Sequence, residues 1–93
     1  MEPKHDIKIY GSENCHKSIF YKEYFKGRNI PCDFLDVLRD EACAEALRGL
    51  YSNRKLNFPT ITIKDKKLRN PKVEDIEKWL RNKGVVGASD TVL

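Results

Sequence analysis

Apolar and charged residues alternate in Ile7-Lys8-Ile9-Tyr10 and stop at Gly11-Ser12, which predicts a short strand running into a turn. From Ser18 onward the period changes. Ile19, Tyr21, Tyr24 and Phe25 recur at helical spacing, and Gly27 with Asn29 supplies a stop. Ile30-Pro31 then lead into Cys32-Asp33-Phe34-Leu35-Asp36-Val37, where alternation returns and predicts a second strand. A helix between two short strands implies a parallel crossover.

Asp40 is placed to cap a second helix whose apolar stripe is Cys43, Ala46, Leu47, Leu50 and Tyr51, broken by Ser52-Asn53. The β-branched run from Phe58 to Ile63 predicts a strand with Pro59 at its start, where a missing N–H is tolerated. Asp65-Lys66 suggests a tight turn, and Lys67-Leu68 an antiparallel edge strand. Asn70 and Pro71 have the N-cap and first-position chemistry of a third helix, with Val73, Ile76 and Leu80 on its apolar face and Gly84 at its end. Residues 1–84 are thus expected to form one domain, and 85–93 a mobile tail. The order β-α-β-α-β-β-α predicts an α/β fold: a four-stranded mixed sheet flanked by three helices, on both faces.

Composition narrows the function. A hydrophobic fraction of 40% over 93 residues suits a single core. The net charge of +4 comes from Lys and Arg interleaved with Asp and Glu, which predicts a mixed solvated surface and no nucleic-acid groove. No apolar run reaches the roughly 20 residues of a membrane span, and the first residues lack a secretory signal, so a cytoplasmic monomer is expected. The three cysteines, Cys15, Cys32 and Cys43, are an odd number, and no pair has metal-ligand spacing. Cys43 on its apolar stripe, and Cys32 at a strand start on the sheet end opposite Cys15, read as structural.

Three landmarks taken together are more specific: Tyr10-Gly11-Ser12-Glu13-Asn14-Cys15-His16-Lys17-Ser18, Phe58-Pro59-Thr60, and Leu68-Arg69-Asn70-Pro71. They resemble a glutaredoxin-like protein of the thioredoxin fold over about residues 6–83, with a monothiol Cys-X-X-Ser site. The resemblance implies that Cys15 is the reactive thiol, that Ser18 stands where dithiol members carry a second Cys, and that Pro59 is a cis-proline facing Cys15. It also implies that His16, Lys17, Arg54, Phe58, Thr60, Arg69 and Asn70 surround a bound low-molecular-weight thiol. Ser12 replaces the usual loop Lys, the aromatic residue inside the motif is absent, and the Gly-Gly before the third helix is missing. In place of the last, Asn53-Arg54, Pro59-Thr60 and Leu68 followed by Asn70-Pro71 are similar to the mycoredoxin-like branch, whose members use a small thiol other than glutathione.

Chemistry at such a site follows from position. A thiol attacks a disulfide only as its thiolate, and a helix N-terminus stabilises that anion through unpaired N–H groups and the helix dipole. His16 and Lys17 would add positive charge and Ser18 a hydrogen bond. Without a second thiol, the expected cycle exchanges small thiols at Cys15 alone, with mixed disulfides of proteins or small molecules as substrates. Iron–sulfur cluster binding is a disfavoured alternative, because cluster-binding relatives carry Gly-Phe where this chain has His16-Lys17. Two other readings compete: an arsenate-reductase-like enzyme, which also starts a helix with Cys-X-X-Ser, and a non-catalytic thiol-binding module of the same fold.

Overall fold

A computed structural model describes residues 5–85. The elements are β1 (Ile7–Gly11), α1 (His16–Gly27), β2 (Asp33–Asp36), α2 (Glu41–Gly49), β3 (Thr60–Ile63), β4 (Lys66–Arg69) and α3 (Val73–Asn82). They give the order β-α-β-α-β-β-α expected from the sequence. The sheet order is β2-β1-β3-β4. β1 and β2 are parallel, with Ile9 opposite Phe34 and Tyr10 opposite Leu35, whereas β3 is antiparallel to both β1 and β4.

Strand alternation divides the interior into two cores. Ile7, Ile9, Ile61, Ile63 and Leu68 face one side, where Tyr21 and Phe25 of α1 and Ile76 and Leu80 of α3 close over them. Tyr10, Leu35 and Val37 face the other side against Ala44 and Leu47 of α2. Burying side chains of this size stabilises the fold by about 1.5–3 kcal/mol each. Edge strands β2 and β4 are four residues each and carry Asp33 and Asp36 on one edge, Lys66, Lys67 and Arg69 on the other. No helix among the described residues is long and apolar enough to cross a membrane.

Several details differ from the sequence expectation. α1 begins at His16, two residues before Ser18, because Cys15 takes the N-cap position with extended backbone. α2 does cap on Asp40, whose carboxylate accepts the Ala42 N–H at 2.9 Å, but its buried residues are Ala44 and Leu47 while Ala46 is exposed. The β3 strand starts at Thr60, leaving Phe58 and Pro59 in the loop before it. Asn70 is not the cap of α3: it has φ 48° and donates its N–H to the Pro59 carbonyl at 2.8 Å, and the N-cap is Lys72, whose N–H meets the Asp75 carboxylate at 3.1 Å. Of the expected tail only Val85 is described; it packs against the larger core.

Candidate functional site

The parallel pair β1 and β2 ends at Gly11 and Asp36, and the chain leaves β1 there to form the loop Ser12-Glu13-Asn14. Ligand sites of open α/β sheets lie at this carboxyl end of the strands. The loop is closed by its own polar groups: Ser12 Oγ accepts the Asn14 N–H at 3.0 Å, and the Cys15 N–H reaches the Ser12 carbonyl at 3.0 Å. Asp36 ties it to β2 by accepting the Glu13 N–H at 3.4 Å, as well as those of Leu38 and Arg39.

Cys15 emerges from this loop as the N-cap of α1, half-buried, with no capping hydrogen bond from its own side chain. Ser18, one turn on, is fully buried. Its Oγ accepts the Ser12 N–H at 3.2 Å and donates toward the Cys15 sulfur, so a single hydroxyl holds the loop on one side and the thiol on the other. Burial alone would push the Cys15 thiol up. The Ser18 hydroxyl, the N–H groups of Ser18 and Lys17 and the Lys17 ammonium together outweigh it, and the thiol sits below its ordinary value. The other two thiols go the opposite way: burial, reinforced by Asp33, pushes Cys32 up, and burial with Asp40 does the same for Cys43. Both read as structural from the sequence; each is partly buried, Cys32 packed against the larger core and Cys43 against the smaller.

Gly11 sets how closely α1 approaches the sheet. A Cβ added there would lie 2.3 Å from Ser18 Oγ and 2.7 Å from Ser18 Cβ, so only glycine lets the Ser18 turn rest on the strand. Opposite, the Phe58–Pro59 peptide bond is cis and Pro59 is buried. Thr60 pairs with Tyr10 across the sheet, which puts Pro59 level with the end of β1. Lys17 Nζ donates to the Asn70 carbonyl at 3.4 Å, and the Asn70 N–H donates to Pro59, linking the Cys15 helix to the proline loop. Tyr21 adds a second link through its hydroxyl to the Pro71 carbonyl at 2.5 Å. Tyr51 at the end of α2 is hydrogen-bonded to Thr60 Oγ1 at 2.8 Å, and the Lys67 ammonium lies 4.3 Å over its ring.

Cys15, Lys17, Ser18, Pro59, Thr60 and Asn70 therefore share one end of the sheet. The remaining expected site residues are placed differently. His16 is exposed and lines a surface pocket with Ile19, Phe20, Glu23 and Tyr24. Arg54, with φ 55°, pairs its guanidinium with Glu45 of α2. Arg69 is exposed and stands across from Thr60 on β4, while Phe58 packs against the smaller core. Gly11, Ser12, Tyr21 and Asp36 belong to the site and were not expected there. A glycine at a strand end is the one sequence signal that pointed toward them.

The glutaredoxin family model matches residues 7–68. Among solved structures, the thioredoxin-like protein BC3987 is similar at 25% identity and a TM-score of 0.65, covering 77% of this chain and 96% of that one. A point mutant of the same protein gives 0.67, also at 25% identity, over 81% and 94% of the two chains. A glutaredoxin from Archaeoglobus fulgidus shares the fold at 18% identity and a TM-score of 0.66, covering 83% of this chain and 87% of its own. A search of curated proteins gave no match.

Proposed function

The chain belongs to the glutaredoxin family, and from that premise we propose that it is a monothiol thiol–disulfide oxidoreductase that resolves mixed disulfides between proteins and a low-molecular-weight thiol. The observation that carries this reading is the setting of Cys15: the one thiol of the three that lies below its ordinary value, at a helix N-terminus, with Ser18 as its hydroxyl partner. The Cys15 thiolate attacks the small-thiol sulfur of the mixed disulfide. The S–S bond breaks, the protein thiolate leaves and takes a proton, and Cys15 is left in a mixed disulfide with the small thiol. A second small thiolate attacks that disulfide, releasing Cys15 as thiolate and a small-thiol disulfide as the oxidised product.

The co-substrate is proposed to be a small thiol other than glutathione. Ser12 occupies the position of the loop Lys, and it is buried with its hydroxyl engaged by Asn14. Lys17 supplies a cation to Cys15 and donates to the Asn70 carbonyl. Charge-assisted contacts contribute about 1.5–3 kcal/mol each, so lacking one weakens glutathione use by roughly tenfold to a hundredfold. The test is intact-mass analysis after incubating the reduced protein with the disulfides of glutathione, cysteine and coenzyme A, with peptide mapping of the modified thiol. Adducts should form on Cys15, with low turnover in a glutathione-coupled assay. Adducts spread evenly over Cys15, Cys32 and Cys43 would overturn the mechanism, and rapid glutathione turnover would overturn the specificity.

A further inference from the structure

A second pocket lies at the opposite end of the sheet from Cys15. Cys32 immediately precedes Asp33, which pairs with Lys8 near the start of β1, whereas Cys15 follows the end of that strand. The pocket has a volume of about 430 Å³ and is lined by Lys22 and Lys26 of α1 and by Asn29, Ile30, Pro31, Cys32 and Phe34. It is an open groove at the surface and not an enclosed cavity.

Its wall is apolar. Ile30 belongs to the larger core at 8% exposure, and Cys32 and Phe34 pack against the same core. Its rim is cationic. Lys22 Nζ lies 5.0 Å over the Phe34 ring, and the carboxylate it pairs with, Glu13, stands at 4.0 Å. Lys26 has no ion-pair partner among the described residues. At the end of α1 the carbonyls of Tyr24, Phe25 and Lys26 accept the N–H groups of Arg28, Asn29 and Ile30. Of the acids nearby, Glu13 pairs with Lys22 and the Asp33 carboxylate accepts the His5 N–H at 2.9 Å. Two ammonium groups over an aromatic and aliphatic wall form a site with one charged side and one apolar side.

We propose that this pocket binds a small organic anion with a flat apolar body, its charged group between Lys22 and Lys26 and its body against Ile30, Pro31 and Phe34. The occupant is distinguished from the thiol co-substrate by place, since it needs neither Cys15 nor the proline loop. Cys32 contributes a neutral wall and no covalent step.

Anilinonaphthalene sulfonate has this chemistry and serves as the probe, titrated by fluorescence against the full chain. Saturable binding is expected, unchanged in Cys15→Ser and weakened about tenfold in Lys22→Gln/Lys26→Gln through loss of charge-assisted contacts. Both lysines have solvent-facing side chains, so the double variant should fold. Uncharged N-phenylnaphthylamine should bind about tenfold more weakly than the sulfonate. Bound sulfonate should also slow alkylation of Cys32, read by peptide mapping, without slowing that of Cys15. Affinity insensitive to the two lysines, or lost in Phe20→Ala on the exposed side of α1, would place the dye elsewhere and overturn the proposal.

Discussion

At the scale of the residue, Ser18 holds the site together. Its hydroxyl accepts from the Ser12 N–H and donates toward Cys15, so the two halves of one group serve the loop and the thiolate at once. Replacing it with Ala removes both. Ser18→Ala should raise the pH midpoint of Cys15 alkylation by iodoacetamide, because the thiolate loses a donor that favoured it. It should also destabilise the fold by about 1–3 kcal/mol, since the buried Ser12 N–H is left unpaired. Alkylation against pH and chemical denaturation measure the two effects separately. A variant with lost stability and an unchanged Cys15 profile would mean that Ser18 serves the loop alone. In wild type the same labelling should modify Cys15 first, with Cys32 and Cys43 following only at higher pH, because burial pushes both of those thiols up.

At the scale of the element, the contact of α1 with β1 is the joint that aims Cys15. Gly11→Ala forces a Cβ to within 2.7 Å of Ser18 Cβ, and overpacking of this kind typically costs about 1–3 kcal/mol. The helix N-terminus must shift, so Cys15 alkylation should slow as stability falls. Combining Gly11→Ala with Ser18→Gly frees the space, and the double variant should be less unstable than the sum of the singles, as measured by urea denaturation. Strict additivity would show that the close approach does not set the joint. The sequence revealed this architecture unevenly. Alternation at Ile7, Ile9 and Tyr10 and at Ile61 and Ile63 marked the sheet faces correctly, and Asp40 marked the start of α2, because period and capping are local properties. The start of α3 was misplaced because Asn70-Pro71 carries helix-start chemistry that the chain uses instead for a left-handed residue bonded to Pro59, a partner distant in sequence. The same long-range logic hid the burial of Ser12, the packing of Ser18 on Gly11 seven residues earlier, and the pairing of Arg54 with Glu45.

At the scale of the whole molecule, buried acids set the response to alkali. Burial raises Tyr10, Tyr21, Cys32 and Cys43, so each keeps its proton in the folded state at a pH where the unfolded chain has released it. The unfolded chain then binds fewer protons, and stability falls as pH rises, beginning near the unfolded thiol value of about 8.5 and continuing past the phenol value of about 10. Cys15 works in the other sense: its contribution is present above the unfolded thiol value and is lost as pH falls through its lowered folded value. Urea midpoints should therefore decline between pH 8.5 and 10.5 by these principles, and a flat profile would contradict the burial of the four groups. The two sheet edges have a consequence of another kind. Every open sheet leaves unpaired backbone groups along its outermost strands, which invite pairing with another copy. Here one border carries Lys66, Lys67 and Arg69 and the other Asp33 and Asp36, and charge of this kind on short edge strands discourages pairing with another copy. Salt screens such charges, so high ionic strength should weaken that protection, as light scattering from concentrated protein would show.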